Sequence, residues 1–201
     1  MKLSFKEGRA DKVHIFIDGE YEMTVDSLFV SMLKLEQNME LDDEKLAELK
    51  KRVSFRRAFN KACDLLEMRD HSSRELLVKL RQKGFGEGAE EALEKLEELG
   101  IVDDLRFAKA YKNELVQFRH FGKKRVISEL FKKGIDRSII DEVTEDMETD
   151  TEELKAIIRR KYLRYLSDEK GKKRTVNALI RMGYSYSEIN EVLTETEEEE
   201  E

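Results

Sequence analysis

Three glycines, Gly84, Gly134 and Gly183, stand 50 and 49 residues apart and bring the second part of the chain into register with itself. Four residues before them come Leu80, Leu130 and Leu179, and seven before come Leu77, Ile127 and Val176. Arg74, Lys124 and Lys173 lie ten before, Phe85, Ile135 and Tyr184 follow directly, and Leu93, Val143 and Val192 come nine after. A period of this size marks one supersecondary unit copied in tandem. Glycine suits the left-handed backbone position just past a helix C-terminus, where a side chain costs energy. "RQKGF", "FKKGI" and "IRMGY" therefore read as three versions of one helix ending.

Apolar spacing around these stops predicts three helices per unit. The first helices fall at 54–68, 104–118 and 152–165, the middle ones at 73–83, 123–133 and 170–182, and the closing ones at 88–99, 137–145 and 186–194. Ser72-x-x-Glu75, Thr149-x-x-Glu152 and Ser185-x-x-Glu188 are capping-box patterns, with Asp103 and Asp136 as single caps. The chain has no proline and is 41% charged, so glycine and aspartate carry its punctuation. A unit of about 45 residues buries too little surface to stand alone, and three should pack in series as an elongated array.

The first residues follow a different rule. "KVHIFIDGEYEMTV" is two alternating runs around Asp18-Gly19, a strong hairpin signal. Val13, Ile15 and Ile17 should face the core opposite Tyr21, Met23 and Val25, and "KLSFK" offers Leu3 and Phe5 for a third strand. Asp26 should cap a short helix, and a second helical stretch starts near Asp42 or Asp43. The expected organisation is a hairpin and helices over 1–53, repeats over 54–100, 101–148 and 149–194, and a disordered acidic tail over 195–201. The fold class is mainly α, with three three-helix repeats behind a small N-terminal β segment.

A single cysteine, Cys63, excludes an intramolecular disulfide and fits a reducing compartment. Neither a signal-peptide core nor an 18-residue apolar run is present, so a cytoplasmic protein with no membrane association is expected. Abundant Glu and Lys beside few Asn and Gln hint at a thermophile.

The net charge of -7 is unevenly placed, and six of it lies in "ETEEEEE" at the end. From Arg119 to Lys133 six bases oppose Glu129, and from Arg159 to Arg174 eight oppose Asp168 and Glu169. Between them, Asp141 to Glu153 carries eight acids and no base. Sorted blocks suit a charged partner met along an extended face, and they also suit solvated helix faces.

Catalytic patterns are weak. "GFGEGA" follows a helix and lacks the spacing of a phosphate loop. His14, His71 and His120 are scattered, which disfavours a metal site, and Cys63 reads as a small core residue. Asp103, Asp104 and Arg106 have a structural reading: Asp103 caps a helix, Asp104 favours its positive end, and Phe107 enters the core. Arg106 is left to pair with Asp103 or a neighbouring unit. A non-enzymatic chain without cofactors is expected.

"GIVDDLRFAKAY", "RDHSSRELLVKLRQKGF" and "FGKKRVISELFKKGID" give the chain a resemblance to the RecX family, bacterial regulators of the RecA recombinase. The resemblance covers residues 54–194 and the hairpin. Asp103, Asp104, Arg106, Phe107 and Ala108 match the family's D-D-x-R-F-A signature. Lys123 stands where many members have proline, and Met182-Gly183 replaces the Lys-Gly ending in the third repeat. The resemblance implies a monomer that binds the RecA–DNA filament and limits its assembly, ATP hydrolysis and strand exchange. The candidate contacts are Arg119, Lys123, Lys124 and Arg125, then Arg159, Arg160, Arg164, Lys172, Lys173 and Arg174. They would meet acidic protein surface or DNA backbone without reading bases, and bare DNA only weakly. An autonomous DNA-binding helical module and a scaffold for another protein stand as alternatives.

Overall fold

The computed structural model describes residues 1–198. Three antiparallel strands come first: β1 (Leu3–Glu7), β2 (Lys12–Ile17) and β3 (Glu20–Asp26), in that order across the sheet. Asp18 and Gly19, at φ 50° and 88°, make the tight turn between β2 and β3. Leu3, Val13, Ile15, Ile17, Met23 and Val25 form the buried face. Tyr21 is the exception. A register shift between Ile15 and Phe16 pairs Tyr21 with Phe16 on the other face, where it is 60% exposed.

Helix α1 (Ser27–Met32) is capped by the Asp26 carboxylate, which accepts from the Phe29 amide at 2.8 Å. Helix α2 (Asp43–Met68) is a single element of 26 residues. Its Leu49 and Val53 close the sheet's core, and Ala58, Ala62 and Leu65 serve the first repeat. The boundary expected at 53/54 therefore falls inside a helix, since neither glycine nor proline interrupts it.

The remaining helices are α3 (Ser73–Gln82), α4 (Ala89–Glu98), α5 (Asp104–Gln117), α6 (Lys123–Lys132), α7 (Arg137–Thr144) and α8 (Thr151–Lys161). A 3-10 turn at Leu163–Tyr165 precedes α9 (Glu169–Met182) and α10 (Tyr186–Glu198). With α2, these make three three-helix repeats. Leu80, Leu130 and Leu179 are fully buried at the same place in each. Leu76, Val126 and Thr175, eight before the glycines, form a second buried position that the apolar pattern hides because the third member is polar.

Two compact units emerge, Met1–Glu67 with Lys79–Leu96, and Met68–Val78 with Glu97–Glu201. The first holds the sheet's core. The second holds a core around Phe107, Leu115, Leu130 and Ile140 in repeat two, and one around Leu154, Ile157, Ile158 and Ile189 in repeat three.

Two N-terminal caps and one end differ from expectation. Asp150, not Thr149, caps α8 through the Glu153 amide at 3.0 Å, and the Thr149 hydroxyl turns to Glu188. Asp136 precedes α7 without a side-chain cap bond. The last helix runs past 194 to Glu198, because Thr196 is buried and Glu195 pairs with Lys155 at 2.7 Å. The rest of the expected tail, residues 199–201, lies outside the described residues.

Candidate partner-binding surface

The three glycines end their helices alike. Phe85, Ile135 and Tyr184 send their amides back to the carbonyls of Leu80, Leu130 and Leu179 at 2.9, 3.2 and 3.3 Å, the six-to-one bond of a Schellman ending. Ile135 and Tyr184 are buried, and Phe85 is half-buried beside the Arg57 guanidinium.

Two of these endings are also sockets. The Ser72 hydroxyl donates to the Lys133 carbonyl at 2.5 Å. One repeat later the Gly122 amide donates to the Met182 carbonyl at 2.9 Å. A side chain on Gly134 would collide with Arg74, and one on Gly183 with the backbone of Gly122 and Arg125. The start of a middle helix thus seats on the glycine of the next repeat.

The D-D-x-R-F-A residues serve the same purpose. Asp103 caps α5 by accepting from the Arg106 amide at 2.9 Å. Asp104 accepts from the Ser73 amide and hydroxyl at 2.8 and 2.6 Å, capping α3 from another repeat. The Arg106 guanidinium donates to the carbonyls of Gly100 and Ile101 at 3.1 and 2.8 Å, and Phe107 is buried.

Glu75 anchors an adjoining charge cluster. It accepts from Arg69 and Lys133 at 2.8 and 2.9 Å, and lies 3.3 Å from the buried His71 ring. Burial alone would raise its carboxyl, but bonds from Arg69, Lys133 and His71 outweigh that and hold it at about 2. Capping box Ser72–Glu75 is therefore half made: the Glu75 amide reaches Ser72 Oγ at 3.2 Å, while its carboxylate serves the cluster.

The first basic block divides. Arg119 and Lys124 are exposed. Lys123 donates to the Glu145 carbonyl at 3.2 Å. Arg125 pairs with Glu129 at 2.8 Å and has its Nε buried, while its side chain as a whole is 39% exposed. Phe118 is 78% exposed at the end of α5, and Phe121 lies under the Arg125 guanidinium.

The second block is more open. Arg159, Arg160 and Lys161 close α8, and with Leu163 and Arg164 they line a concavity of about 600 Å³. These bases sit where cations favour the negative end of the helix. Arg164 donates to the Tyr165 hydroxyl at 2.6 Å and lies over its ring. Lys161 joins them although sequence reasoning left it off the candidates; its place in the run "RRK" was the available signal. Lys172, Lys173 and Arg174 ride the first turns of α9 and do not line this concavity.

Other sequence features resolve as packing. Gly88 of "GFGEGA" abuts the α2 backbone at Ser54 and Phe55. His14, His71 and His120 contact Thr24, Glu75 and Glu153 respectively. Among the described residues, no group of three or more His, Cys, Asp or Glu is placed to hold a metal ion, and no helix is long and apolar enough to cross a membrane. Cys63 is half-buried, and burial, then Asp64 and Glu67, push its thiol up.

Comparison with known proteins agrees with this architecture. The first, second and third three-helix domains of RecX match residues 58–96, 103–143 and 148–193. "Regulatory protein RecX" of Caldanaerobacter subterraneus is 32% identical over 160 residues, covering 78% of this chain and 81% of the relative. The protein of that name from Chlorobium phaeobacteroides is 36% identical over 106 residues, covering 52% of this chain and 70% of its own. A crystal structure of regulatory protein RecX superposes with a TM-score of 0.72 at 21% identity, covering 96% of this chain and 98% of that one. The crystal structure of RecX from Lactobacillus salivarius gives 0.64 at 23% identity, over 72% of this chain and 97% of that one. With all three domains matched in order and a relative 32% identical over 81% of its length, the chain belongs to the RecX family of regulatory proteins.

Proposed function

We propose that this protein is a non-catalytic cytoplasmic regulator, acting as a monomer, that binds RecA-type nucleoprotein filaments and limits their assembly, ATP hydrolysis and strand exchange. Membership of a family of regulatory proteins supports the general role. The observation that carries the contact chemistry is the concavity lined by Arg159, Arg160, Lys161 and Arg164. Guanidinium groups meet phosphate or carboxylate oxygens with paired donors, and a filament offers both along its length. Arg119 and Lys124 add exposed charge from repeat two, whereas Lys123 and Arg125 are held by contacts within the chain.

The test compares affinity for bare single-stranded DNA with affinity for a RecA–ATP–DNA filament, alongside inhibition of DNA-dependent ATP hydrolysis. Tighter binding to the filament, with inhibition that weakens as salt rises, is expected. Tighter binding to bare DNA would instead select an autonomous DNA-binding module.

A further inference from the structure

The first compact unit carries a small cationic hollow beside its sheet. Arg56, Arg57 and Asn60 are spaced to share one face of α2. Across a cavity of about 150 Å³ they meet Lys12, the first residue of β2, and Asp26, the last of β3. Lys12 and Asp26 are partners in the strand register, so the sheet holds them together. Asp26 is fully engaged. Its Oδ1 accepts from the Phe29 amide at 2.8 Å and from Arg56 at 3.2 Å, and its Oδ2 accepts from Arg56 Nε at 3.0 Å. Three cations against this one carboxylate leave a surplus of two positive charges at the cavity. Among the described residues, neither the Lys12 ammonium nor the Asn60 amide has a hydrogen bond or ion pair within the chain. Arg57 has only the Phe85 ring, 5.8 Å from its guanidinium carbon.

We propose that this cavity binds a phosphate group bearing two negative charges, either free phosphate or the terminal phosphate of a nucleotide or nucleic-acid strand. A terminal phosphate carries close to two charges at neutral pH and presents three strong acceptor oxygens. Its charge matches the surplus, and its oxygens match the three unengaged side chains, Lys12, Arg57 and Asn60. The Arg57 guanidinium can hold two oxygens side by side, Lys12 supplies a point charge, and the Asn60 amide adds a neutral donor. Arg56 is fixed by Asp26, so its field is in place before any ligand arrives. A phosphodiester within a strand, or a carboxylate, brings one charge and would leave the other unmatched. The cavity therefore selects phosphate ends over phosphate chains. The Arg159–Arg164 concavity belongs to the second unit, and neither site requires the other.

The test titrates inorganic phosphate into the isotopically labelled full chain at constant ionic strength and follows amide resonances by NMR. The amides of Lys12, Arg57 and Asn60 should shift saturably. The variant K12Q/R57Q should weaken that binding by roughly tenfold or more. K34Q/K45Q, which removes two exposed charges from the same unit, should leave it unchanged. Lys12 and Arg57 are exposed, so folding should survive; should the double variant unfold, N60A makes the same comparison. Equal losses in the two double variants, or no saturable shift in wild type, would overturn the proposal. Parity between acetate and phosphate would overturn it too. Two further arms identify the source. Tighter binding of AMP than of inorganic phosphate supports a nucleotide. Shifts caused by a terminally phosphorylated oligothymidylate, and not by its hydroxyl-ended twin, support a strand end. Equal shifts by both oligonucleotides would place the phosphodiester chain in the cavity and overturn the two-charge assignment.

Discussion

The amide of Gly122 donates to the carbonyl of Met182 across 2.9 Å, and this bond joins the start of one middle helix to the end of the next. Ser72 and Lys133 occupy the same places one repeat earlier, with a hydroxyl doing the work of the amide. The glycine after each acceptor is thus asked for two things: a left-handed backbone and room for a neighbour.

The three glycines should consequently differ on substitution. Gly84, at φ 82°, has open space where a Cβ would stand, so G84A should cost only the backbone penalty, about 1 kcal/mol. G134A adds a collision with Arg74 whose outer carbons can swing away but whose Cβ is fixed to the α3 backbone, so part of the cost remains. G183A meets the backbone of Gly122 and Arg125, which cannot move cheaply, and should cost roughly 3 kcal/mol or more. Thermal unfolding of the three variants should rank them in that order. Equal losses would mean that the sockets contribute nothing.

Glu75 ties stability to pH. Its carboxyl is held at about 2 against an ordinary value of 4.5, so the folded chain binds its proton less readily than the unfolded chain does. The stabilisation is therefore complete above about 4.5 and is lost as pH falls from there towards 2. E75Q, which replaces the carboxylate shared by Arg69 and Lys133 with a neutral amide, should lose on the order of 2 kcal/mol at neutral pH. Across the acid window its unfolding midpoint should vary less with pH than that of wild type. Parallel profiles for the two proteins would exclude Glu75 as the source.

Thr175 fills an apolar position with a hydroxyl that is buried and has no hydrogen-bond partner among the described residues. Its counterparts are Leu76 and Val126. T175V keeps the shape and removes the orphan group, and should stabilise by about 1 kcal/mol. Calorimetry should show a higher midpoint by roughly 2–4 °C. A lower midpoint would show that the hydroxyl has a partner after all.

Neighbouring bases should separate by role. R125A removes the Glu129 pair and the guanidinium over the Phe121 ring, so it should lower the unfolding midpoint. K124A changes an exposed group and should leave the midpoint nearly unchanged while weakening binding to an anionic partner. A stable R125A protein with reduced binding would return Arg125 to the contact surface.

Much of this architecture was legible because glycine spacing and helix periodicity are local signals. The stops at Gly84, Gly134 and Gly183 and the cap at Asp103 needed only neighbours in sequence. Asp104 did so only in part: it stands in the first turn of its own helix as the dipole argument expects, but its bonds to Ser73, 31 residues away, carry no local signal. Arg125 and Lys124 look alike in sequence, and only packing buries the Nε of one while leaving the other exposed. Tyr21 was misplaced by a one-residue register shift, which reverses the face of whatever follows it. The continuity of α2 was missed because a repeat boundary was read as a structural one.

Gly171 stands in the third repeat where Ser72 and Gly122 stand in the first two, yet its amide is already taken. It donates to Asp168 at 2.5 Å, and the Tyr165 carbonyl lies against its Cα so closely that no side chain could fit. A junction made of one donor and one socket has polarity, and polar contacts between copies grow head to tail unless one end is closed. Here the donor end is closed by the chain's own 3-10 turn, while the Gly84 ending faces open space. The bond that joins the middle helices of neighbouring repeats is therefore made twice, and at Gly171 the amide that would make it again is held by Asp168.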